Sequence, residues 1–340
     1  MKPDKQHFAS NLMSRIASNE VLDAAMTHVD KRRLSKDANS DIWDLSLHWS
    51  TRRETIREHL LTGRYQLSPL QVLGSKNGHA LTRWSSMDAV VLKAMTIVLT
   101  PLLGTKMDRR CHHLTGNGGL KGAVNRVRGY LTKQVSDGAG VVSCDQNLYQ
   151  FVIKSDIADF YASTSHDVLH QICSKHIKDR RVLDVLQQYM NRVELRFGEH
   201  DLIELGIAKG CPLSPLMGAL MLKSLDKMIP RNCAYARYMD DWVILIPTRR
   251  VLKRLVKKMH QIVSGLRYKL AKNKTYIGRI SKGFDFLGYR FGEQGLVGLA
   301  AQTIENHKIK LSRLYEQNAS EDEVWEYRKL WVRWVFAGLK

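Results

Sequence analysis

Ala234-Tyr235-Ala236-Arg237-Tyr238-Met239-Asp240-Asp241-Trp242-Val243-Ile244-Leu245-Ile246 sets two apolar runs on either side of a pair of acids. Runs of this length, rich in β-branched and aromatic residues and separated by a short polar break, read as two strands of a hairpin. Adjacent aspartates inside an apolar hairpin repel each other unless a cation accompanies them. Acids chosen only for turn propensity are the plain alternative, and the rest of the chain decides between the two.

The nearest partner for that turn is Phe151-Val152-Ile153-Lys154-Ser155-Asp156-Ile157, an apolar strand that ends in a third acid. Phosphoryl transfer to a nucleotide uses two divalent ions about 3.5–4 Å apart. One ion activates a 3′-hydroxyl and the other holds the triphosphate. Magnesium favours carboxylate and phosphate oxygens, so an acid at a strand end and others in a neighbouring hairpin turn build such a site economically. Asp156, Asp240 and Asp241 fit that plan.

Charge points the same way. Fifty-three Lys and Arg against 33 Asp and Glu give +20 and a pI near 9.8, spread along the chain rather than confined to a tail. Such a field attracts polyanions, above all phosphate backbones. The 340 residues suffice for two or three subdomains, and 44% hydrophobic content is ordinary for a folded chain. The start, Met1 to Lys5, leads into polar sequence, so no signal peptide is expected. The longest apolar stretch, Ala89 to Leu103, contains Lys93 and Pro101, and no membrane span is expected. Five scattered cysteines (Cys111, Cys144, Cys173, Cys211, Cys233) form no C-x-x-C pair, which fits a reduced, cytoplasmic protein. Cys111-His112-His113 lacks a second ligand cluster for zinc.

Residues 1–60 read as polar helices, and Tyr65 to Leu73 as extended. Asn77-Gly78 has hairpin-turn chemistry. Ser86-Met87-Asp88 is expected to cap an apolar helix from Ala89 towards Leu99. Gly116, Gly118, Gly119 and Gly122 read as a loop, either near backbone phosphates or without a ligand, since no Walker pattern follows. Helical periodicity runs from Ser165 to about Met190, and Pro215 suits the first turn of a helix running through Leu225. Thr248 caps a helix bearing Arg249, Arg250, Lys253, Arg254, Lys257 and Lys258, read as a solvated face in preference to a template contact. Lys274–Ile280 and Phe284–Phe291 read as strands. From Ile304 onward the chain reads as helical, with Leu311, Leu314, Trp325, Leu330, Trp331 and Trp334 as expected buried anchors.

Over roughly residues 60–340 these segments resemble bacterial reverse transcriptases, the group that includes group II intron-like, retron, diversity-generating and defence-associated enzymes. Tyr238-Met239-Asp240-Asp241 looks like their Y-x-D-D motif, and Lys154-Ser155-Asp156-Ile157-Ala158-Asp159-Phe160-Tyr161 like their first catalytic motif. Gly206-Ile207-Ala208-Lys209-Gly210-Cys211-Pro212-Leu213-Ser214-Pro215 resembles the G-x-x-x-G-x-x-x-S-P stretch. Gly283-Phe284-Asp285-Phe286-Leu287-Gly288-Tyr289 is similar to the primer-grip hairpin.

The resemblance implies an α+β right-hand polymerase with fingers, a palm of antiparallel sheet backed by helices, and a short helical thumb. The corresponding segments are a helical extension over 1–60, fingers with part of the palm over 61–150, the palm with metal site and primer grip over 151–291, and the thumb over 292–340. It implies an RNA-directed DNA polymerase using two Mg2+ ions, with Mn2+ as a substitute. Asp156, the Ile157 backbone, Asp240 and Asp241 would ligate the metals. Tyr161 would stack under the sugar and exclude a 2′-hydroxyl, unless it is simply a core tyrosine. Asp159 sits where the backbone nears the triphosphate, or merely caps a helix. Lys274 corresponds to a lysine that either protonates departing pyrophosphate or contacts phosphate. Phe286, Leu287 and Gly288 form the primer grip.

Two departures stand out. Ala208-Lys209-Gly210 replaces the usual Gln before glycine, so Lys209 alters the nucleotide-facing stretch. No R-P-L-type strand supplies a triphosphate arginine, and Arg83, then Lys76, are the substitutes. Ser214-Pro215 argues against diversity-generating enzymes, which carry S-Q there. With no maturase or endonuclease segment expected after the thumb, a dedicated structured RNA in a retroelement or phage-defence setting is the expected partner, beside dNTPs and a DNA product. A protein partner or homo-oligomer stays open. An RNA-dependent RNA polymerase, a templateless transferase and a catalytically silent RNA-binding scaffold are the competing readings.

Overall fold

A computed structural model describes residues 11–33, 39–76, 79–132, 135–136, 141–142 and 148–339. Asn77-Gly78, Cys144, Met1 to Lys5 and the side chain of Lys76 lie outside the described residues. The fold is mixed α+β, with largely antiparallel sheets, and the chain divides into two compact units.

The first unit comprises Met1–Met107 and Asp159–Leu222. Its central element is the helix Ser86–Gly104, capped one residue earlier than expected: the Ser85 hydroxyl accepts the Asp88 backbone N–H at 3.0 Å. Asp88 is buried, and Tyr65 Oη donates to it at 2.8 Å. Pro101 does not end the helix, which therefore runs 19 residues and is long and apolar enough to span a membrane by length and composition alone. Eleven of its residues are buried within the protein, and it packs against the helix Asn19–Arg33, as a core helix does.

A four-stranded sheet orders His79–Arg83, Leu70–Lys76, Val193–Arg196 and Glu199–Leu202, with the middle pair parallel. The hairpin Val193–Leu202 was not foreseen; its turn has Phe197 at φ 51° and Gly198 at φ 88°, both in the left-handed region that two-residue hairpin loops require. The expected single helical stretch after Ser165 is two helices, His166–His176 and Arg180–Met190, the second capped by Asp179.

Gly206 fixes the loop that leads to helix Ser214–Met221. Its φ is +91°, and a Cβ would lie 2.7 Å from Ala162 O and 2.9 Å from Tyr161 O. Its carbonyl accepts from His166 Nε2 at 2.8 Å and Arg192 Nη1 at 2.9 Å, so the peptide cannot easily rotate away. Gly206→Ala is expected to destabilise the protein by about 2 kcal/mol or more, because both the φ and the contact are unfavourable; a urea-unfolding midpoint measures it.

The second unit comprises Asp108–Ala158 and Lys223–Lys340. A four-stranded antiparallel sheet orders Tyr276–Arg279, Phe151–Ser155, Asp241–Ile246 and Ala234–Tyr238. The two strands that flank the acidic turn are buried along nearly their whole length, as their unbroken apolar runs require. The core of this unit joins Val152, Ala236, Val243 and Leu245 of that sheet to Val124 and Val127 of helix Gly119–Thr132. Phe284, Phe286 and Phe291 of a three-stranded sheet complete it.

Two expectations are corrected here. The glycine segment is not all loop: Gly119–Thr132 is helical, and Gly122 is helical where a Cβ would lie 3.0 Å from Asn117 O and 3.1 Å from His112 Nδ1. The C-terminal anchors are also not buried. Trp325 is 59% and Leu330 57% exposed, while Val324, Val335 and Gly338 are buried in helix Glu321–Leu339. Trp331 and Trp334 are half-buried by stacking, on His307 at 3.8 Å and Tyr289 at 5.2 Å. The large apolar residues fall all around this helix, and the core meets only one side of it.

Candidate active site

The central strand Phe151–Ser155 pairs in register with Asp241–Ile246, Ser155 opposite Trp242, so Asp156 emerges at the sheet end that carries the acidic turn. Tyr238 pairs with Asp241, leaving Met239-Asp240 as a two-residue loop. The chain beyond the strand is pinned as well. Ala271 N donates to Asp156 O at 2.9 Å, Ile157 bridges Leu270, and Ala158 N donates to Lys269 O at 2.9 Å.

The carboxylates are only partly compensated by nearby cations. Asp156 is 6% exposed; its Oδ2 accepts from Lys274 Nζ at 2.9 Å, while its Oδ1 is buried with no hydrogen-bond partner. Asp241 Oδ1 is likewise buried and unpartnered. Burial, then the repulsion of Asp156, pushes the Asp240 carboxyl up to about 6. Burial pushes Asp241 to about 7, with Asp156 and Asp240 adding repulsion that Lys154 and Lys274 partly offset. The hydrogen bond to Asp156 raises Lys274 in turn. Lys154 Nζ donates to Lys274 O at 3.0 Å, and the hydroxyls of Ser155 and Thr275 share a hydrogen bond at 2.7 Å, which fixes the Lys274 segment against the strand.

Among the described residues no group of three or more His, Cys, Asp or Glu side chains is closed around a metal position. The donor set nevertheless suits a hard divalent cation: all three groups are carboxylates, and two buried oxygens have no hydrogen-bond partner. Lys274 supplies the positive charge at Asp156 that such an ion would otherwise provide.

The raised carboxyls carry a stability consequence. Between the ordinary aspartate value and about 6 to 7, the folded protein holds protons that the unfolded chain has released. Stability without divalent ions is therefore expected to fall as pH rises from about 4 to 7 and to change little from this source above that. Thermal unfolding at pH 5 and pH 8 in EDTA measures it. Asp240→Asn/Asp241→Asn should flatten the difference by a few degrees, roughly what 1–2 kcal/mol produces in a chain of this size.

The turn itself is clamped at both backbone groups of Met239, whose φ is +58°. Its N–H donates to His113 Nδ1 at 2.9 Å, and its carbonyl accepts from Arg237 Nη1 at 2.8 Å. Arg237 is fully buried and bidentate to Asp226, Nε to Oδ1 at 2.7 Å and Nη2 to Oδ2 at 2.6 Å; Tyr235 Oη donates to the same carboxylate at 2.6 Å. His112 N donates to Arg237 O at 2.7 Å, tying the Cys111-His112-His113 segment along the strand. That segment serves the turn; it is not part of a zinc cluster among the described residues. Sequence reading missed Arg237, Asp226 and His113. The available signal was a lone arginine inside an apolar strand, which demands a buried acid elsewhere.

Beside Asp241, a cleft of about 810 Å³ is lined by Lys154, Lys274, Lys282, Arg290, Phe286 and Gly288, among others. Leu287 (φ 49°) and Gly288 (φ 85°) form the two-residue turn between strands Phe284–Phe286 and Tyr289–Gly292. Phe286 is buried beneath it, and Gly288 O accepts from Ala300 N at 3.0 Å and Thr303 Oγ1 at 2.9 Å. A Cβ on Gly288 would lie 2.8 Å from the Trp334 ring.

The remaining candidates belong to the first unit. Tyr161 is half-buried, its ring edge-on to Phe160 at 5.3 Å, and its carbonyl accepts from Ile207 N at 2.7 Å. Asp159 is exposed at φ 47°, and its carbonyl accepts from Ser163 N, so it forms a turn rather than a helix cap. Lys209 is exposed, and its carbonyl accepts from Thr82 Oγ1 at 3.4 Å, which brings the Lys209 loop beside the strand that carries half-buried Arg83. Lys76 ends the neighbouring strand.

A strand-end acid, a clamped two-acid turn and a cleft lined by several cations lie together in the second unit. The chain belongs to the reverse transcriptase (RNA-dependent DNA polymerase) family, whose model matches residues 90–291, more than half of its length. It is also similar to Protein YkfC of Escherichia coli (strain K12), at 22% identity over 305 residues, covering 73% of this chain and 75% of that protein.

Proposed function

We propose that this protein is an RNA-directed DNA polymerase that extends a primer 3′-hydroxyl with dNTPs, copying a dedicated structured RNA in a retroelement or phage-defence setting in the cytoplasm. The observation that carries this reading is the pair of buried, unpartnered carboxylate oxygens on Asp156 and Asp241, within a chain of this family. In this reading residues 1–60 form a helical extension, 61–150 the fingers with part of the palm, 151–291 the palm and 292–340 the thumb.

Asp156, Asp240 and Asp241, with the Ile157 carbonyl, would hold two Mg2+ ions, or Mn2+ in their place. Bound there, divalent ions supply the charge that favours an ionised 3′-hydroxyl and a leaving pyrophosphate. Lys274 pairs with Asp156 before substrate arrives and afterwards has a proton to give to pyrophosphate. Phe286, Leu287 and Gly288 position the primer end. Lys209, Arg83 and Lys76 are the cations for the triphosphate, and Asp159 shapes the turn beside Tyr161. Tyr161 excludes the 2′-hydroxyl.

Competition between dNTPs and rNTPs on a primed RNA template tests the reading. Wild type is expected to select dNTPs, and Tyr161→Ala to narrow that selectivity by about tenfold or more, the effect of removing one steric contact worth roughly 1–3 kcal/mol. Use of rNTPs alone by wild type would transfer the protein to the RNA-polymerase reading. The Lys274–Asp156 ion pair is the one observation that favours a silent RNA-binding scaffold, in which lysine permanently replaces the metal. Unchanged biological activity of Asp240→Ala/Asp241→Ala, with RNA binding retained, would establish the scaffold instead.

A further inference from the structure

On the second unit, away from the acids, a concavity of about 440 Å³ opens between the first turn of helix Arg249–Gly265 and the strand Tyr276–Arg279. We propose that it is a second nucleic-acid site, which takes the phosphodiester backbone of a single strand outside the catalytic cleft. This deepens the polymerase reading, since it names where a template or product strand is held beyond the reacting end.

The lining carries three cations, Arg249, Arg279 and Lys282, and no carboxylate. The helix extends that charge with Arg250, Lys253, Arg254, Lys257 and Lys258. Eight cations without one acid stand out in a chain whose overall ratio is 53 to 33. All eight are exposed, and among the described residues none forms an ion pair; Arg290 and Arg237 of the same unit do find aspartates. Such a face repels itself and gains from a polyanion that releases counterions on binding. At 17 residues the helix is about 25 Å long, which spans several successive phosphates of one strand.

The concavity also has one aromatic surface for a base or sugar, half-buried Tyr276, beside buried Phe151. Phe151 and Tyr276 line it, and the Arg279 guanidinium sits over the Phe151 ring at 5.8 Å. An arginine held over a ring keeps its planar fork of donors for phosphate. Tyr276 Oη donates to Arg279 O at 3.3 Å, and a Cβ on Gly278 would lie 2.6 Å from that Oη, so glycine is what allows the tyrosine to cross the strand. Tyr276–Arg279 is an edge strand, paired only with Phe151–Ser155 among the described residues. Tyr276 and Lys282 line both this concavity and the catalytic cleft, so one strand can run continuously from one to the other. A cation-lined concavity with an accessible tyrosine ring fits a single strand better than a rigid duplex.

The test uses the full chain, with fluorescence anisotropy of labelled 20-nucleotide single-stranded RNA and DNA of one sequence over a salt series. Arg249→Glu/Arg279→Glu is expected to weaken binding by about tenfold or more. It should also reduce the slope of log affinity against log salt by about two, one per lost phosphate contact. Extension of a short primer–template at saturating concentration should be unchanged. Equal loss for RNA and DNA identifies a backbone site; a larger loss for RNA adds recognition of the 2′-hydroxyl. Arg249→Gln/Arg279→Gln, which avoids new charge, should give the same pattern at smaller size if the reversal variant folds poorly. Unchanged affinity and slope for both oligonucleotides in either folded variant would overturn the proposal. If wild type extends no primer and the variants still lose binding, the second site stands and the polymerase reading falls.

Discussion

Replacing Asp240 by asparagine is expected to cut nucleotide incorporation by roughly 10³-fold or more, while the protein becomes more stable without metal. Both effects come from one cause. Asp240 lies in a half-buried turn beside Asp156 and Asp241, and burial with like-charge repulsion raises its carboxyl to about 6. Asparagine keeps the shape and removes the repulsion, so the metal-free fold gains on the order of 1 kcal/mol. In the proposed metal site the same change removes a charged ligand, and losing several kcal/mol of transition-state charge stabilisation amounts to about three powers of ten in rate. Steady-state primer extension and a melting curve in EDTA, on the same preparation, read the two effects. A slow variant that is also less stable would point to a folding defect instead.

The second large effect concerns stability first. Arg237→Met is expected to destabilise the protein by about 3–5 kcal/mol, because it leaves Asp226 charged and buried without its partner. Asp226 and Arg237 are 1% and 0% exposed, so water cannot take over. Arg237→Lys should fail nearly as badly, since an ammonium cannot bond both Asp226 oxygens and Met239 O as the guanidinium fork does. The double change Arg237→Met/Asp226→Leu separates the two roles. Stability should return in part, because the ion pair is replaced whole while buried Tyr235 Oη loses the carboxylate it donates to. Primer extension should stay depressed, because Met239 O then has no donor and the turn loses one side of its clamp. Full recovery of both would show that the pair is structural only.

The sequence exposed the hairpin and its acids because each carries its own signal: unbroken apolar strands, a two-acid turn and a strand ending in Asp156. Family motifs then set the order of the elements. The clamp around Met239 was hidden because it is assembled across distance; nothing near His113 indicates that its ring meets a backbone N–H 126 positions later. Cys111-His112-His113 carries no signal of its own for a role, and its value lies in pairing beside Arg237. Gly119 and Gly122 suggested a loop by composition, although Gly122 is needed because the chain passes too close for a side chain. Trp325 and Leu330 suggested core by residue type, which says nothing about which side of a helix finds a partner. The Lys274–Asp156 contact was legible only as two separate candidates until the strand Tyr276–Arg279 was seen beside Phe151–Ser155.

That contact frames the central claim, that Asp156, Asp240 and Asp241 await divalent ions. Titration calorimetry of Mg2+ into the protein at pH 6.5, in two buffers of different ionisation heat, measures binding and proton release together. With Asp240 near 6 and Asp241 near 7, both are partly protonated at that pH, so ion binding must expel protons. Wild type is predicted to bind with net proton release that disappears by pH 8.5, and Asp240→Asn/Asp241→Asn to bind far more weakly. Equal binding by both proteins would contradict the assignment of these carboxylates as the metal site.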